Sequence, residues 1–272
     1  MRKILHVSDL HFGKTDPLVI GKLQESIIAA SPDIIVVSGD LTQRAEIEQF
    51  KDAQAFLGAV KNSGAHVFVI PGNHDIRPVY APIKRALSPY DRYKQHISEE
   101  IAPRYADDEV AIASIDTVRR GKISNGKIGK QQVEELRSWF STLHPETTRI
   151  VVTHHPLDLP KDLLRPLVRR AKHAVYGLAS SRIDLYLAGH YHRSSVTSTD
   201  SRYRDLSRPS LAVQAGTVSM RGRGEAQSFN ILTVQSHDMH VDTHLFSAET
   251  ETFEMSGRKR FIREEDVWRS DS

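Results

Sequence analysis

Short runs of β-branched and aliphatic residues recur along the chain at 4–7, 34–37, 67–70, 110–115, 150–153 and 185–188. Runs this short, apolar at consecutive positions, predict strands buried on both faces of a sheet. Between several of them apolar positions recur at helical spacing, over 19–30 before Pro32, over 45–61 before Ser63-Gly64, and over 130–143 before Pro145. The alternation of strand and helix predicts an α/β fold with at least one largely parallel sheet and right-handed crossovers.

Two stretches interrupt that pattern. Residues 78–108 carry Pro78, Pro82, Pro89 and Pro103 and a polar, helix-like segment around 90–101. They read as an insertion packed over one end of the sheet, where it would cover a site. After Ala188 the texture is strand-rich, with candidates near Val196 and at 211–214, 229–235 and 241–246, and predicts a second sheet. The charged stretch 257–272 reads as a partly ordered tail. Neither a 20–50-residue repeat nor a low-complexity tract is visible, and the whole 272 residues are expected to form one domain.

Composition narrows the function classes. Hydrophobic residues make up 39% and charged residues 26%, which excludes a disordered chain, and no apolar run approaches the ~18 residues of a membrane span. Arg2 and Lys3 are followed by too short an apolar stretch for a signal-peptide core, so a cytoplasmic protein is expected. Thirty-seven Lys and Arg against thirty-four Asp and Glu leave +3, with a pI of about 9.0. This mild excess suits a phosphate-bearing ligand without marking a dedicated nucleic-acid binder. The absence of cysteine excludes disulfides, a thiolate nucleophile and Cys-ligated metal. Any metal must then be held by His, Asp, Glu or Asn.

Those residue types follow the predicted strands. The first ends in Ser8-Asp9-Leu10-His11, the second in Ser38-Gly39-Asp40, and the third in Pro71-Gly72-Asn73-His74-Asp75. The strand at 150–153 ends in His154-His155-Pro156 and that at 185–188 in Gly189-His190-Tyr191-His192. Ligands of open α/β sheets bind at the carboxyl ends of the strands, so these side chains are expected to converge. Asp-x-His and His-x-His place two donors on one side of an extended segment. Gly39, Gly72 and Gly189 are expected to allow sharp turns where a bulkier residue would crowd the metal. A single histidine after a strand is ordinarily a packed or surface residue; five such endings together point to a metal site.

Asp9-Leu10-His11, Gly39-Asp40, Gly72-Asn73-His74-Asp75, His154-His155 and Gly189-His190-Tyr191-His192 together resemble the motif set of the calcineurin-like metallophosphoesterases, over about residues 1–200. Ser8 to Phe12, Ser38-Gly39-Asp40-Leu41-Thr42 and His154-His155-Pro156 look most like the bacterial class III cyclic nucleotide phosphodiesterases. The resemblance implies a four-layer αββα sandwich with two metal ions. Asp9, His11 and His192 would bind one, Asn73, His154 and His190 the other, and Asp40 would bridge them. His74 would be catalytic, oriented by Asp75, while His155 would pack or contact substrate. Where many relatives carry an acidic residue soon after the Gly-Asp, this chain has Leu41-Thr42-Gln43, which would alter the support around the metals.

Mixed imidazole, carboxylate and amide donors suit Mn, Fe or Zn. Two such ions about 3.5–4 Å apart can hold a hydroxide in line with phosphorus, and a His beside the leaving oxygen can protonate it. Hydrolysis of a cyclic nucleotide, 3′,5′ or 2′,3′, is therefore the leading expectation. A nuclease or phosphatase acting on another phosphoester is the enzymatic alternative, and a binding scaffold the non-enzymatic one. The expected partner is a small phosphodiester, with neither membrane nor nucleic acid required. Arg77 is read either as a phosphate ligand or as an exposed loop residue. The basic runs Arg165, Arg169, Arg170, Lys172, His173 and Arg258-Lys259-Arg260 read as solvated faces, and His240 and His244 as an exposed strand face.

Overall fold

The computed structural model describes residues 1–78, 80–121, 125–222 and 224–271. The alternation of apolar side chains along the first strands sets its layers. In β1 (Arg2–Val7) Ile4 turns to one core while Leu5 and Val7 turn to another. In β2 (Ile34–Val37) Ile34 and Val36 join the first, Ile35 and Val37 the second. A strand apolar on both faces has to be covered on both. Helices α1 (Pro17–Ala30) and α2 (Ile47–Lys61) cover one side, packing Leu23, Ile27, Phe50, Phe56 and Val60 on Leu5, Val7, Ile35 and Val37. Each fully buried side chain of this size contributes roughly 1.5–3 kcal/mol. The α1 boundaries follow from local chemistry: Asp16 accepts from the Leu18 N–H at 2.9 Å, Pro17 opens the first turn, and Ser31 leaves the helix at φ 46° before Pro32.

The other face of β1, β2 and β3 (His66–Val69) meets a second sheet containing β4 (Arg104–Ala106), β5 (Val110–Ile115), β6 (Thr148–Thr153), β7 (Leu185–Ala188), β8 (Ser195–Ser198) and β9 (Leu211–Gln214). Ile112, Ile150, Val152, Leu185, Leu187 and Val213 fill the space between the sheets. The far side is covered by α5 (Lys130–Phe140) and α6 (Ala171–Gly177), whose Val133, Leu136, Phe140, Ala174 and Val175 pack on Val151, Tyr186 and Ala212. Helix, sheet, sheet and helix make the four-layer αββα sandwich that the resemblance implied. Among the described residues no helix is long and apolar enough to cross a membrane.

The strands after β9 are β10 (Ser228–Val234), β11 (Asp238–Ser247), β12 (Thr252–Glu264) and β13 (Val267–Asp271). The sheet orders are β13-β12-β11-β10-β1-β2-β3 and β4-β5-β6-β7-β9-β8. Two sheets are present, as expected, and the strands of the region after Ala188 divide between them. β8 and β9 extend one sheet, and β10 pairs antiparallel with β1, Arg2 opposite Val234, to extend the other. The expected tail is corrected. Its residues lie largely in β12 and β13, with Phe261 and Trp268 buried between the sheets. Most positions of β12 and several of β13 are exposed, so their composition imitates a tail. Ser272 of that stretch, and Val79 of the 78–108 stretch, lie outside the described residues.

Within 78–108 the chain forms α3 (Pro82–Leu87), α4 (Asp91–His96) and edge strand β4. Tyr93 is fully buried and its hydroxyl donates to the Val69 carbonyl at 3.2 Å. The segment packs beside α2 and β3, toward the outer helical layer.

Candidate metal centre

Register brings the motif loops together. Val7 lies opposite Val37, and Val37 opposite Val69, so three parallel strands end side by side. In the other sheet Val152 pairs with Leu187 and Ala188 with Gln214. The loops are then tied across strands: the Asp9 N–H donates to Gly39 O at 3.0 Å, His11 N–H to Asp40 O at 2.9 Å, and Gly189 N–H to His154 O at 3.2 Å. Beyond the strands the backbone turns left-handed. Asp9 (φ 54°), His11 (47°), Asp40 (53°), His190 (78°) and His192 (62°) all occupy that region, at roughly 1–2 kcal/mol each. The donors in Asp-x-His and His-x-His therefore converge through these turns, not through strand alternation as expected.

The glycines play two roles. Gly39 itself has φ 98°, and a Cβ there would lie 2.7 Å from His154 Nδ1. Gly72 and Gly189 permit close approach: a Cβ would meet Asp40 Oδ1 at 2.2 Å in one case and Ser8 Oγ at 1.9 Å in the other.

All seven candidate ligands come to one place, buried or nearly so. The His11 and His192 Nε2 atoms are 3.1 Å apart, and each faces Asp9 Oδ1, at 3.6 and 3.1 Å. His154 Nε2 lies 3.0 Å from Asn73 Oδ1, 3.4 Å from Asp40 Oδ2 and 3.3 Å from His190 Nδ1. Asp40 Oδ2 is also 3.7 Å from His11 Nε2, so this carboxylate stands between the two groups. The opposite ring nitrogens of His11, His154 and His192 face carbonyls of Thr42, Ser38 and Arg221 at 3.3, 2.9 and 2.9 Å. A carbonyl only accepts, so these Nδ1 atoms carry hydrogen and a neutral ring turns an Nε2 lone pair inward. Two such lone pairs 3.1 Å apart repel unless a cation lies between them. Asp9 Oδ1 is buried with no hydrogen-bond partner. The residues fit divalent ions: two donor groups of four and four share Asp40.

The electrostatics agree. Burial alone would raise Asp9 and Asp40, yet the surrounding imidazoles hold both below the usual carboxylate range. His154, against its burial, is lifted to about 9 by Asp40 and Asp9. His190 is pushed down to about 4 by burial and by His154. The centre is an acidic field that favours positive charge.

The structure corrects the role of Asp75. Its buried carboxylate accepts from the backbone N–H groups of Gly72, Leu41 and Thr42 at 2.8, 3.0 and 2.8 Å and from the Thr42 hydroxyl at 2.9 Å. It fastens the Asp40 and Asn73 turns to one another. The His74 ring is oriented instead by the Gln43 carbonyl, 2.7 Å from Nδ1, while the His74 backbone N–H donates to Asp40 Oδ1 at 2.8 Å. Arg77 fits neither expectation, being mostly buried and forked onto Asp91. His155 is buried, its Nδ1 2.8 Å from Thr117 Oγ1 and its ring 4.4 Å from that of His190; among the described residues its Nε2 has no hydrogen-bond partner, and a ring nitrogen lies within 4.8 Å of those of His154 and His190.

A cleft of about 390 Å³ opens over the centre, lined by Asp40, Asn73, His74, His190 and His192 together with Asn125, Arg165, Pro166, Tyr191 and Arg221. No described residue of 78–108 lines it, so the expected cover comes instead from loops around 125, 165 and 221. Sequence reading set Arg165 aside as part of a solvated basic run and passed over Arg221, which follows β9 without any recognisable motif. Only the end of β9, beside β7, marks the latter.

A sequence profile of the calcineurin-like phosphoesterases matches residues 2–194. The glycerophosphodiester phosphodiesterase GpdQ of Enterobacter lignolyticus is 26% identical over 209 residues, 71% of this chain and 72% of that one. A probable cyclic nucleotide phosphodiesterase of Rhodococcus erythropolis is 26% identical over 253 residues, 85% and 79%. Among solved structures, PhoD superposes with a TM-score of 0.71 at 10% identity, covering 100% of this chain and 71% of its own. A purple acid phosphatase from yellow lupin superposes at 0.72 and 11% identity, covering 99% and 54%.

Proposed function

Since this chain belongs to the calcineurin-like phosphoesterases, we propose that it hydrolyses a small phosphodiester, a cyclic nucleotide, with two divalent transition ions. The observation that carries this reading is the Asp40 carboxylate standing between His11 and His154, and so between the two donor groups, beneath a cleft of about 390 Å³, a size that suits a small ligand. Asp9, His11 and His192 would hold one ion, Asn73, His154 and His190 the other, with Asp40 common to both. Mn, Fe or Zn matches these donors. Such ions, when bound, supply a nucleophile at neutral pH and positive charge for the phosphoryl oxygens.

The chain's own residues do the rest. The Gln43 carbonyl takes the His74 Nδ1–H, which aims Nε2 into the cleft. A protonated Nε2 there donates to the departing oxygen, and a ribose alkoxide needs that proton to leave. A glycerophosphodiester is the second reading, favoured by the name of the Enterobacter relative; its leaving oxygen makes the same demand.

The test is a turnover panel on metal-reconstituted protein. It compares 3′,5′- and 2′,3′-cyclic nucleotides, a glycerophosphodiester, an oligonucleotide and simple monoesters. Highest kcat/KM on a cyclic nucleotide is expected; highest kcat/KM on the glycerophosphodiester would replace the substrate. In His74→Ala the loss should be far larger for the best alkoxide-leaving diester than for a nitrophenyl diester. Equal losses would remove the proton-donor role.

A further inference from the structure

Resting on the phosphodiesterase reading, we infer that Arg221 binds the phosphoryl group of the substrate, held over the centre by a dedicated strap at 217–221. Arg221 lies beyond the residues matched to the family. Its Nη1 rests against the His11 ring, 3.2 Å from Nε2 and 3.3 Å from Nδ1, and is 3.3 Å from His74 Nε2, and it lines the cleft. Among the described residues it forms no ion pair with a carboxylate. Three other arginines of this protein end differently: Arg149 on the Ser181 carbonyl, Arg208 on Asp184 and the Asp266 carbonyl, Arg77 on Asp91. Among the described residues the guanidinium meets only the His11 and His74 rings, through Nη1, and its Nε and Nη2 have no hydrogen-bond partner, in a side chain that lines the cleft. Its planar fork of N–H donors matches two non-bridging phosphoryl oxygens.

The strap is built to keep it there. The Thr217 hydroxyl donates to the Asp9 carbonyl at 2.6 Å and accepts the Ser219 N–H at 3.0 Å. Ser219 Oγ in turn accepts the Arg221 N–H at 3.3 Å. Met220 N–H donates to Lys14 O at 2.9 Å, and the Arg221 carbonyl accepts from His192 Nδ1 at 2.9 Å. Thr217 and Ser219 are fully buried. The strap is therefore anchored to the loops bearing Asp9, His11 and His192, so the backbone that carries the guanidinium is tied to the candidate ligands. A diester brings one negative charge, and charge spreads over the equatorial oxygens as the bond breaks. A permanently charged fork beside His74 stabilises that redistribution.

The test compares Arg221→Met and Arg221→Lys with Arg137→Met, which removes an exposed charge on α5. Three quantities are read on the metal-reconstituted protein: bound metal per chain, inorganic phosphate affinity by calorimetry, and kcat/KM. Arg221→Met should keep its metal, bind phosphate about 10-fold more weakly or worse, and lose roughly 100-fold in kcat/KM. Arg221→Lys, a charge without the fork, should fall between, and Arg137→Met should match wild type. Phosphate affinity and kcat/KM within about twofold of wild type in Arg221→Met would overturn the inference. So would loss of metal from both Arg221 variants, which would make the arginine a support of the His192 loop. Phosphate binding that depends on Arg221 in a protein turning over no phosphodiester would sink the substrate reading and leave this one standing.

Discussion

The strand ends that carry the candidate centre and the C-terminal edge strands are both β structure, yet they are stabilised in opposite ways. At the strand ends five of the seven candidate ligands sit at positive φ, and two buried carboxylates lie among imidazoles with few internal partners. Between β12 and β13 the backbone runs in regular antiparallel register, with one bulge where β12 pairs β11, and the charges are paired: Arg260 with Asp238 and Asp271, Arg258 with Asp242, Arg263 with Asp184. The first region holds strain and unpaired charge because the packed strands beneath it are rigid enough to impose both. The second contributes stability and stays clear of the cleft. Changes in one should therefore register in chemistry, and changes in the other in folding.

The sharpest break is Asp40→Ala. Losing the carboxylate common to both donor groups should lower kcat/KM by roughly 10³-fold and strip metal, read by elemental analysis, with the fold intact by circular dichroism. Near-normal turnover would mean that Asp40 does not join the two groups.

Next comes Asp184→Ala, in the opposite region. Asp184 is buried and accepts from Arg208, Arg263 and the Trp268 indole, each near 2.8–2.9 Å, so it ties β12 and β13 to the other sheet. Removing it leaves guanidinium groups uncompensated, at about 3–5 kcal/mol in a urea titration, while kcat stays within a few-fold. A loss under about 1 kcal/mol would show the hairpin to be dispensable.

Gly189→Ala should do the converse. Its Cβ would stand 2.4 Å from Asp9 Oδ2, displacing that carboxylate and lowering kcat/KM about 100-fold with a smaller change in unfolding free energy. The smallest effect is expected for Thr217→Val. Loss of its bond to the Asp9 carbonyl should cost about 1 kcal/mol and weaken metal affinity roughly 10-fold, measured by competition with a chelator. A larger effect on stability than on metal would place Thr217 with the scaffold.

Much of the fold was legible because its central strands are short and wholly apolar: 34–37, 110–115 and 185–188 match β2, β5 and β7 residue for residue. The candidate ligands were legible because chemistry demands rare residue types at strand ends. β12 was not, since its positions 254–260 are exposed in succession, which gives the strand the composition of a tail. Asp75 was misread because adjacency in sequence to His74 carries no information about which way two consecutive side chains point.

The sequence alone determined which residue types follow which strands, and hence the donors available and the layers that bury those strands. That information is local, written in periodicity and in side-chain chemistry. Tertiary structure decided the rest: the shared edge at which six strands end, the left-handed turns that aim Asp9, His11, Asp40, His190 and His192 inward, the carbonyl that orients His74, and the arrival of Arg221 from a strand 200 residues along the chain. Each depends on register between segments far apart in sequence, and register is set by packing over the whole sheet.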